Sequence, residues 1–309
     1  MSINFSHQSV LLNESLDALD ISSGKTFVDG TTGGAGHSLE IAKRLTDGKL
    51  ICFDKDPDAL EVIGQKLERF PFVTIINDDF VNIKSRLHDI EIDSIDGLLL
   101  DLGVSSHQLD TVERGFSYHN DAPLDMRMSQ KGTSAKDVVN TLSEKELADI
   151  IFRYGEEKYS RQIAKAIVEK RKTAAIETTS ELADCVKNAV PAKVRRLQNP
   201  ARKTFQAIRI FVNNELDIIE KTLNDAFSIL NVGGRIAVIT FHSLEDRIVK
   251  RTFAGFTKGC ECPPDFPVCV CGKKPAGKLV WKKPVVASDR EVDANRRSRS
   301  AKLRVIEKI

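Results

Sequence analysis

The stretch DGTTGGAGHS, from Asp29 to Ser38, decides the fold of this 309-residue chain. It follows the short apolar run Thr26–Val28 and leads into the helical pattern SLEIAKRL, Ser38–Leu45. Glycines in such a turn let the backbone come close to a ligand and leave the amide groups of the next helix pointing towards it. The stretch therefore predicts a strand, a ligand-binding turn and a helix in succession.

Similar units surround this turn. Further strand-like runs lie at Lys49–Asp54, Phe72–Asp78 and Ile95–Gly103, with helical patterns between them, and another lies late in the chain at Val232–Phe241. Apolar strands that alternate with helices are typical of a doubly wound parallel sheet. The fold class is therefore predicted to be α/β, with a Rossmann-like sheet.

The chain changes character after Leu109, where helical patterns replace the strands. Two capping boxes, Ser143 with Glu146 and Thr178 with Glu181, each precede apolar residues at helical spacing. We find no strand pattern from about Leu109 to Pro200. The prediction is a discontinuous α/β domain, residues 1–109 and 201–309, interrupted by an all-helical insertion, residues 110–200.

Composition indicates a soluble cytoplasmic protein. Hydrophobic residues make up 41% of the chain, enough for a substantial core, and no apolar run is long enough to span a bilayer. The amino terminus, MSINFSHQSV, lacks the pattern of a signal peptide. A chain with this much core does not need a disulfide framework, although it has six cysteines.

Positive charge is concentrated in two segments. Residues Gly272–Ile309 contain 12 Lys and Arg against 4 Asp and Glu, and Pro191–Thr204 contains five basic residues and no acidic ones, whereas the net charge of the whole chain is only +2. Either segment alone could be an ordinary solvated surface. Two such segments in one chain favour a polyanionic partner such as nucleic acid.

The glycine turn alone does not identify the ligand that it binds. Leu39 stands where a G-x-G-x-x-G motif would need its third glycine, and no Gly-Lys-Ser/Thr sequence closes a phosphate-binding loop. Asp54, at the end of the second strand, suits the ribose of either NAD or S-adenosylmethionine (SAM). Asp79-Phe80, after the third strand, and the turn Gly233–Arg235, before a late strand, favour a SAM-dependent methyltransferase. Each acid alone could be a cap or turn residue, but their shared place at carboxyl ends of strands favours a ligand site.

The motifs together resemble one family over nearly the whole chain, in order: the bacterial MraW-type family of methyltransferase H enzymes that modify small-subunit ribosomal RNA. The motifs are HQSVLLNE (His7–Glu14), DGTTGGAGHS, FDKDPDA (Phe53–Ala59), LDLGVSSHQLD (Leu100–Asp110), RGFSY (Arg114–Tyr118), PLDMRM (Pro123–Met128), TFQAIRIFVNNEL (Thr204–Leu216), FHSLEDRIVK (Phe241–Lys250) and NRRSRSAKLRV (Asn295–Val305).

The resemblance implies SAM-dependent methylation of the exocyclic N4 amine of a cytidine in the decoding region of 16S ribosomal RNA. It implies a set of donor-binding residues: Ala35, Gly36, His37, Asp54, Phe80, Asp101 and Gln108. Ala35 stands where the family pattern has glycine, which predicts a slightly tighter turn. Asp101 is the candidate catalytic residue, because a carboxylate there could hold a proton of the target amine. It could equally hold the amino group of the methionine part of SAM.

Other residues have proposed roles with alternatives. The two basic segments form the expected RNA-binding surfaces through Lys193, Arg195, Arg196, Arg202, Lys203, Arg296, Arg297 and Arg299. Phe116, Tyr118 and Met126 either shape the pocket for the target base or belong to the core. His242 is a hinge or helix-cap residue or, alternatively, a catalytic one. The sequence leaves open a homodimer, and whether the RNA is naked or within the small ribosomal subunit.

The loop CECPPDFPVCVC, Cys260–Cys271, has four thiols, which could bind zinc, stay reduced or form disulfides. Methyl transfer needs no metal in any of these states, so no metal ligand is predicted. Rival functions are a methyltransferase for DNA or a small molecule, a Rossmann oxidoreductase that would retain NAD, and a non-catalytic ribosome-assembly factor that would bind SAM without turnover.

Overall fold

A computed structural model describes residues 9–197, 199–260, 262, 268 and 270–309. The chain divides into two compact units. The first comprises the residues up to Gly103 together with Leu216–Ile309, and the second comprises Val104–Glu215. No helix in the described part of the chain is both long and apolar enough to cross a membrane.

Strands and helices alternate in the first unit, and helices dominate the second. The strands are β1 Thr26–Asp29, β2 Lys49–Phe53, β3 Val73–Ile76, β4 Ile95–Asp101, β5 Leu230–Thr240, β6 Gly277–Leu279, β7 Val285–Val286 and β8 Lys302–Lys308. The α-helices are α1 Leu12–Leu19, α2 Gly36–Arg44, α3 Pro57–Leu67, α4 Ile83–Asp89, α5 Ser106–Asp110, α6 Ala135–Thr141, α7 Glu144–Gly155, α8 Ser160–Thr173, α9 Thr179–Ala189, α10 Ala192–Leu197, α11 Ala201–Asn213, α12 Asp217–Ile229, α13 Ser243–Thr257 and α14 Asp289–Ala294.

One twisted sheet organises the first unit, with strand order β3-β2-β1-β4-β5-β8-β6 and β7 paired with β8. The five strands from β3 to β5 in this order are parallel, with Val28 of β1 opposite Ile51 of β2 on one side and Leu98 of β4 on the other. In chain order, β2 and β3 are added on one side of β1, and β4 and β5 are then added on its other side. This arrangement confirms the predicted Rossmann-like α/β fold and creates a topological switch point between β1 and β4.

The core of this unit explains why its central strands lack an alternating pattern. Residues 50–53 of β2 are completely buried, as are residues 98–100 of β4. Strands covered on both faces read as continuous apolar runs, which is how the sequence indicated them. Helix α2 contributes Ile41 and Ala42 to the same core.

The basic carboxyl-terminal segment contributes strands to the sheet, which the sequence analysis did not predict. Strand β8 lies antiparallel between β5 and β6, and Leu303 and Val305 are buried in the core. Arg304 and Lys302 both pair with Asp246 of α13, at 2.7 and 3.2 Å. Part of the positive charge therefore serves the fold of this unit.

The second unit is helical, with its own hydrophobic core. Both predicted capping boxes are present, at the starts of α7 and α9. Between residues 109 and 200, the described residues contain no strand, only an isolated bridge between Pro123 and Thr178. The helices pack around residues such as Leu147, Ile163 and Leu182.

The unit boundaries differ from the predicted ones by 6 residues at the start and 15 at the end, because the second unit runs from Val104 to Glu215. Helix α11 accounts for most of the difference. Its residues Phe205 and Ile208 lie in the core of the second unit, whereas the sequence predicts that the insertion ends at residue 200. An amphipathic helix belongs to the core that its apolar face joins, which the pattern alone does not reveal.

Candidate active site

The glycine turn and the end of β4 meet at the switch point of the sheet. The amide of Gly30 donates a hydrogen bond to the carbonyl of Leu99 at 2.9 Å, and the amide of Asp101 donates to Oγ1 of Thr31 at 2.6 Å. Ligands of open α/β sheets bind beyond the carboxyl ends of the strands at such a point. The turn therefore lies where a ligand site is expected.

The turn is shaped by Ala35 and Gly36. Ala35 is the N-cap of α2 and is buried, with φ at 60°, in the left-handed region that favours glycine. A Cβ atom on Gly36 would lie 1.9 Å from Oγ of Ser9, so only glycine fits there without movement. The first intrahelical bond runs from the Leu39 amide to the Ala35 carbonyl, which leaves the preceding amides of the helix for other acceptors.

Asp54 closes the turn from the end of β2. Its Oδ2 accepts a hydrogen bond from the Gly33 amide at 2.7 Å, and its Oδ1 accepts one from the Asp56 amide at 2.8 Å. Burial raises the pKa of Asp54 to about 6, although these two amides oppose the rise. Each oxygen has a further lone pair, so the carboxylate can hold the turn and still accept from a ribose hydroxyl.

Asp29, at the end of β1, is a site residue that the sequence analysis missed. Its Oδ2 accepts from Oγ of Ser38 at 2.5 Å, and its Oδ1 accepts from the Thr31 amide at 3.1 Å. Burial raises its pKa to about 6. The available signal was an acid at the end of an apolar strand. Burial of a carboxyl group costs free energy unless partners compensate it, so an acid in this position indicates a functional or structural role.

Asp101, the candidate catalytic residue, offers an unpaired acceptor. Its Oδ1 is buried and has no hydrogen-bond partner among the described residues, while the side chain as a whole is 23% exposed. Burial raises the pKa of Asp101 well above its usual value, and the charges of Asp29 and Glu245 raise it further. A carboxyl group in this state is suited to receive an N–H donor or a cation.

His37 lies beside this carboxyl. Its Nδ1 is 3.8 Å from Oδ2 of Asp101, and its Nε2 is 3.1 Å from the carbonyl oxygen of Val10. A carbonyl only accepts, so Nε2 carries the proton when this hydrogen bond forms. The ring is buried and links the segment before α1 to the site.

Phe80 lies at the same edge of the sheet. A Cβ atom on Gly30 would be 3.2 Å from the Cβ of Phe80, so the two residues are close neighbours. The preceding Asp79 caps the short helix that begins at Phe80 and forms an ion pair with Lys55 at 2.9 Å. Asp79 therefore has the structural role that the sequence analysis kept as the alternative.

Gln108, the last residue of the expected donor set, belongs to the second unit. It is buried in α5, where it forms a capping box with Ser105, and its Oε1 accepts from the Ser105 amide at 3.0 Å. The other six, Ala35, Gly36, His37, Asp54, Phe80 and Asp101, all lie in the first unit around the switch point.

The charge of the site fits a cationic ligand. Asp29, Asp54 and Asp101 all have raised pKa values, and the nearby charges that act on Asp54 and Asp101 are those of other acids. A dinucleotide would bring two negative phosphates into this cluster. SAM would bring a positive sulfonium and a positive ammonium, which favour the ionised carboxylates. The residues present therefore fit SAM better than NAD.

The expected RNA-binding residues all lie at exposed positions except Lys203. In the second unit, Lys193, Arg195 and Arg196 are exposed on α10, and Arg202 is exposed at the start of α11. Lys203 is only partly exposed, because its Nζ donates to the carbonyl of Glu156 at 2.9 Å. In the first unit, the exposed Arg296, Arg297 and Arg299 occupy a short 3-10 helix, Arg296–Ser300.

The structure shows the positions of the aromatic and Met residues and of His242, whose roles the sequence left open. Phe116 and Met126 are buried in the core of the second unit, and the ring of Tyr118 packs edge-on against Phe205 at 5.5 Å. His242 is the N-cap residue of α13, and its amide donates to Oε2 of Glu245 at 3.2 Å. The core alternative thus describes the positions of Phe116 and Met126, and the helix-cap alternative describes that of His242.

Comparisons with known proteins agree with the predicted family. A family model described as the MraW methylase family matches residues 4–309. Ribosomal RNA small subunit methyltransferase H of Finegoldia magna is 53% identical over 99% of this chain and 100% of that protein. The protein of the same name from Clostridium botulinum (strain Kyoto / Type A2) is 52% identical over 99% of this chain and 100% of that protein.

Among solved structures, an rRNA methylase from Streptococcus thermophilus is similar with a TM-score of 0.44 and 10% identity, covering 98% of each chain. The family model and the two relatives cover nearly every residue of the sequence. The chain therefore belongs to the MraW methylase family, whose methyl donor is S-adenosylmethionine.

Proposed function

We propose that this chain methylates the exocyclic N4 amine of a cytidine in the decoding region of 16S ribosomal RNA, within the small ribosomal subunit in the cytoplasm. The relatives named above are ribosomal RNA small subunit methyltransferases. The observation that carries the chemical part of the proposal is the buried, unpartnered Oδ1 of Asp101 at the switch point of the sheet.

Donor binding is assigned to the edge formed by the glycine turn. When bound, SAM supplies a methyl group already activated by its sulfonium. The amides at the start of α2 and the carboxylate of Asp54 offer donors and acceptors for its methionine and ribose parts. Phe80 offers an apolar face for its adenine, beside Gly30.

The role assigned to Asp101 follows from the chemistry of the acceptor. The lone pair of a cytosine amine is delocalised into the ring, so the amine is a weak nucleophile. A carboxylate that accepts an N–H of this amine concentrates electron density on nitrogen and stabilises the positive charge that develops there. Its unpartnered oxygen supports this role for Asp101, and the raised pKa of the carboxyl group favours transfer of the amine proton to it.

RNA binding is assigned to the exposed basic residues of each unit. Lys193, Arg195 and Arg196 on α10 form one surface, and the arginines of the 3-10 helix Arg296–Ser300 form another. Phosphate contacts position a nucleic acid without reading its sequence. The target base must also leave its stack to reach the carboxyl end of β4.

The proposal is tested by mass analysis of nucleosides from the 16S ribosomal RNA of cells with and without this chain. We expect methylation on the base amine of one cytidine only in cells that contain it, and not when they contain only the Asp101→Asn variant. Unchanged nucleosides in the deletion strain would refute the proposed target. A variant that restores the methyl group fully would refute the role of Asp101.

A further inference from the structure

Three thiols converge between α13 and β6. The Sγ atoms of Cys260, Cys262 and Cys271 all lie within 4.8 Å of one another, and those of Cys260 and Cys271 are 3.8 Å apart. Zinc binds thiolates at about 2.3 Å in a tetrahedron, which places neighbouring sulfur atoms about 3.8 Å apart. The spacing of the thiols thus matches the edge of a zinc–thiolate tetrahedron.

Backbone amides point at these sulfur atoms. The amide of Cys262 donates to Sγ of Cys260, and the amide of Val270 donates to Sγ of Cys262, both at 3.4 Å. Hydrogen bonds from amides stabilise a thiolate over a thiol. Metal-bound thiolates are commonly held by such bonds.

The described residues of the segment that carries the thiols, 260, 262, 268 and 270–276, include no buried side chain. Its base is closed by a hydrogen bond from the Ala276 amide to the Phe256 carbonyl at 2.9 Å. Beyond this base, Val268 and Val270 are 69% and 75% exposed, so these apolar side chains do not form a local core. Small segments without a core are often held by a metal ion.

We propose that Cys260, Cys262 and Cys271 bind a zinc ion as thiolates and so hold the connection between α13 and β6. On binding, each thiol that is still protonated releases its proton to solvent, and no redox change takes place. Cys269, which completes the second C-x-C pair in the sequence, lies outside the described residues, and the proposal does not depend on it. The zinc site is structural and is independent of the proposed methyl transfer.

The test is metal analysis of the purified full chain, produced without a histidine tag in zinc-containing medium. We expect about one zinc ion per chain, and a thiolate-to-metal charge-transfer band when cobalt replaces zinc. A variant with Cys260→Ser, Cys262→Ser and Cys271→Ser should retain at most about one tenth of the zinc that the wild type retains. Val270→Ser, which changes an exposed side chain in the same segment, should retain the metal.

The proposal would be overturned by wild-type protein that contains no zinc and shows no charge-transfer band with cobalt. It would also be overturned by mass spectrometry of alkylated peptides that finds a disulfide between any two of the three cysteines. The cobalt spectrum is recorded on the wild type, so it decides the matter even if the triple variant does not fold.

Discussion

Nδ1 of His37 lies 3.8 Å from Oδ2 of Asp101, while the other nitrogen of the same ring faces the carbonyl of Val10 at 3.1 Å. The buried ring therefore stands beside one oxygen of the carboxyl and leaves the other, Oδ1, without a partner among the described residues. This asymmetry leaves Oδ1 as the oxygen that the proposed function assigns to the ligand. It also separates two roles for Asp101 that can be tested.

The first prediction distinguishes catalysis from donor binding. Asp101→Asn keeps the shape of the side chain but removes its charge and proton-accepting capacity, so turnover should fall by about 100-fold or more. The dissociation constant for SAM, measured by calorimetry, should rise by a much smaller factor than turnover falls, because the other donor-binding groups remain. Asp93→Asn, at a side chain 91% exposed, is the control and should leave both unchanged.

A loss of SAM affinity in proportion to activity would contradict this prediction. Asp101 would then hold the methionine amino group of the donor, and the proton acceptor for the target amine would have to be sought elsewhere in the site.

The second prediction concerns pH. Burial raises the pKa of both Asp29 and Asp54 to about 6, and a cationic ligand favours their ionised forms. Below this pH both groups are protonated and the attraction is lost, so SAM affinity should fall as the pH decreases through about 6. The decrease should be roughly tenfold per pH unit for each group that must ionise.

Calorimetry in buffers of different ionisation enthalpy would check this. Binding near pH 6 should release protons, and the release should diminish in Asp54→Asn. An affinity that is constant from neutral pH to well below 6, with no proton release, would show that SAM binding is not linked to these carboxyls.

The third prediction concerns backbone strain in the turn. Ala35 holds φ at 60°, which costs an L-residue about 1–2 kcal/mol, whereas glycine adopts it freely but loses more entropy on folding. Ala35→Gly should therefore leave the free energy of unfolding unchanged or raise it by up to about 1 kcal/mol. Ala42→Gly, inside α2, should instead lower it by about 1 kcal/mol or more.

Urea unfolding of both variants would measure these changes. If Ala35→Gly destabilised the chain as much as Ala42→Gly, the positive φ would carry no strain and the packing of the Ala35 methyl group would dominate.

The fourth prediction tests the basic surfaces one unit at a time. Arg195→Glu with Arg196→Glu should weaken binding to small-subunit RNA and reduce the salt dependence of the affinity by about 0.7–0.9 per lost phosphate contact. Arg296→Glu with Arg299→Glu should act in the same way. SAM affinity should not change, since the exposed side chains lie outside the donor-binding set.

Lys145→Glu, at an exposed position of α7, is the matched control and should leave RNA affinity unaltered. If neither double variant changed the affinity for RNA, these surfaces would not bind RNA as proposed.

Much of the fold could be predicted because local patterns coincide with tertiary structure. The apolar runs that became β1, β2 and β4 are buried on both faces, so their composition alone identified them. The capping boxes at Ser143 and Thr178 are local hydrogen-bonding motifs and formed where the sequence indicated. Neither required knowledge of distant residues.

Strand β8 was missed for the opposite reason. Leu303 and Val305 alternate with Lys302 and Arg304, which is a strand signal, but the density of basic residues was interpreted as a surface for a polyanionic partner. The ion pairs with Asp246 reconcile the charges with the sheet, and they depend on α13, more than 50 residues earlier. Partners so distant in sequence cannot be read from the segment itself.

The sequence predicted which acids lie at the carboxyl ends of the strands, but it did not predict their electrostatics. Asp54 and Asp101 were identified by position, whereas Asp29 gained importance only when the structure buried it near the other acids. Desolvation depends on three-dimensional packing, so a raised pKa leaves no signature in sequence. The raised pKa values, from which a preference for a cationic ligand is inferred, are thus a result of the fold.

The most direct measurement of the central claim is transfer of labelled methyl from SAM to small ribosomal subunits taken from cells that lack this chain, with mass analysis of the digested nucleosides. The account predicts label on the base amine of a cytidine, and loss of that label with Asp101→Asn. Binding of SAM without any label in the subunits or in naked ribosomal RNA would contradict it, and would favour a non-catalytic role in ribosome assembly.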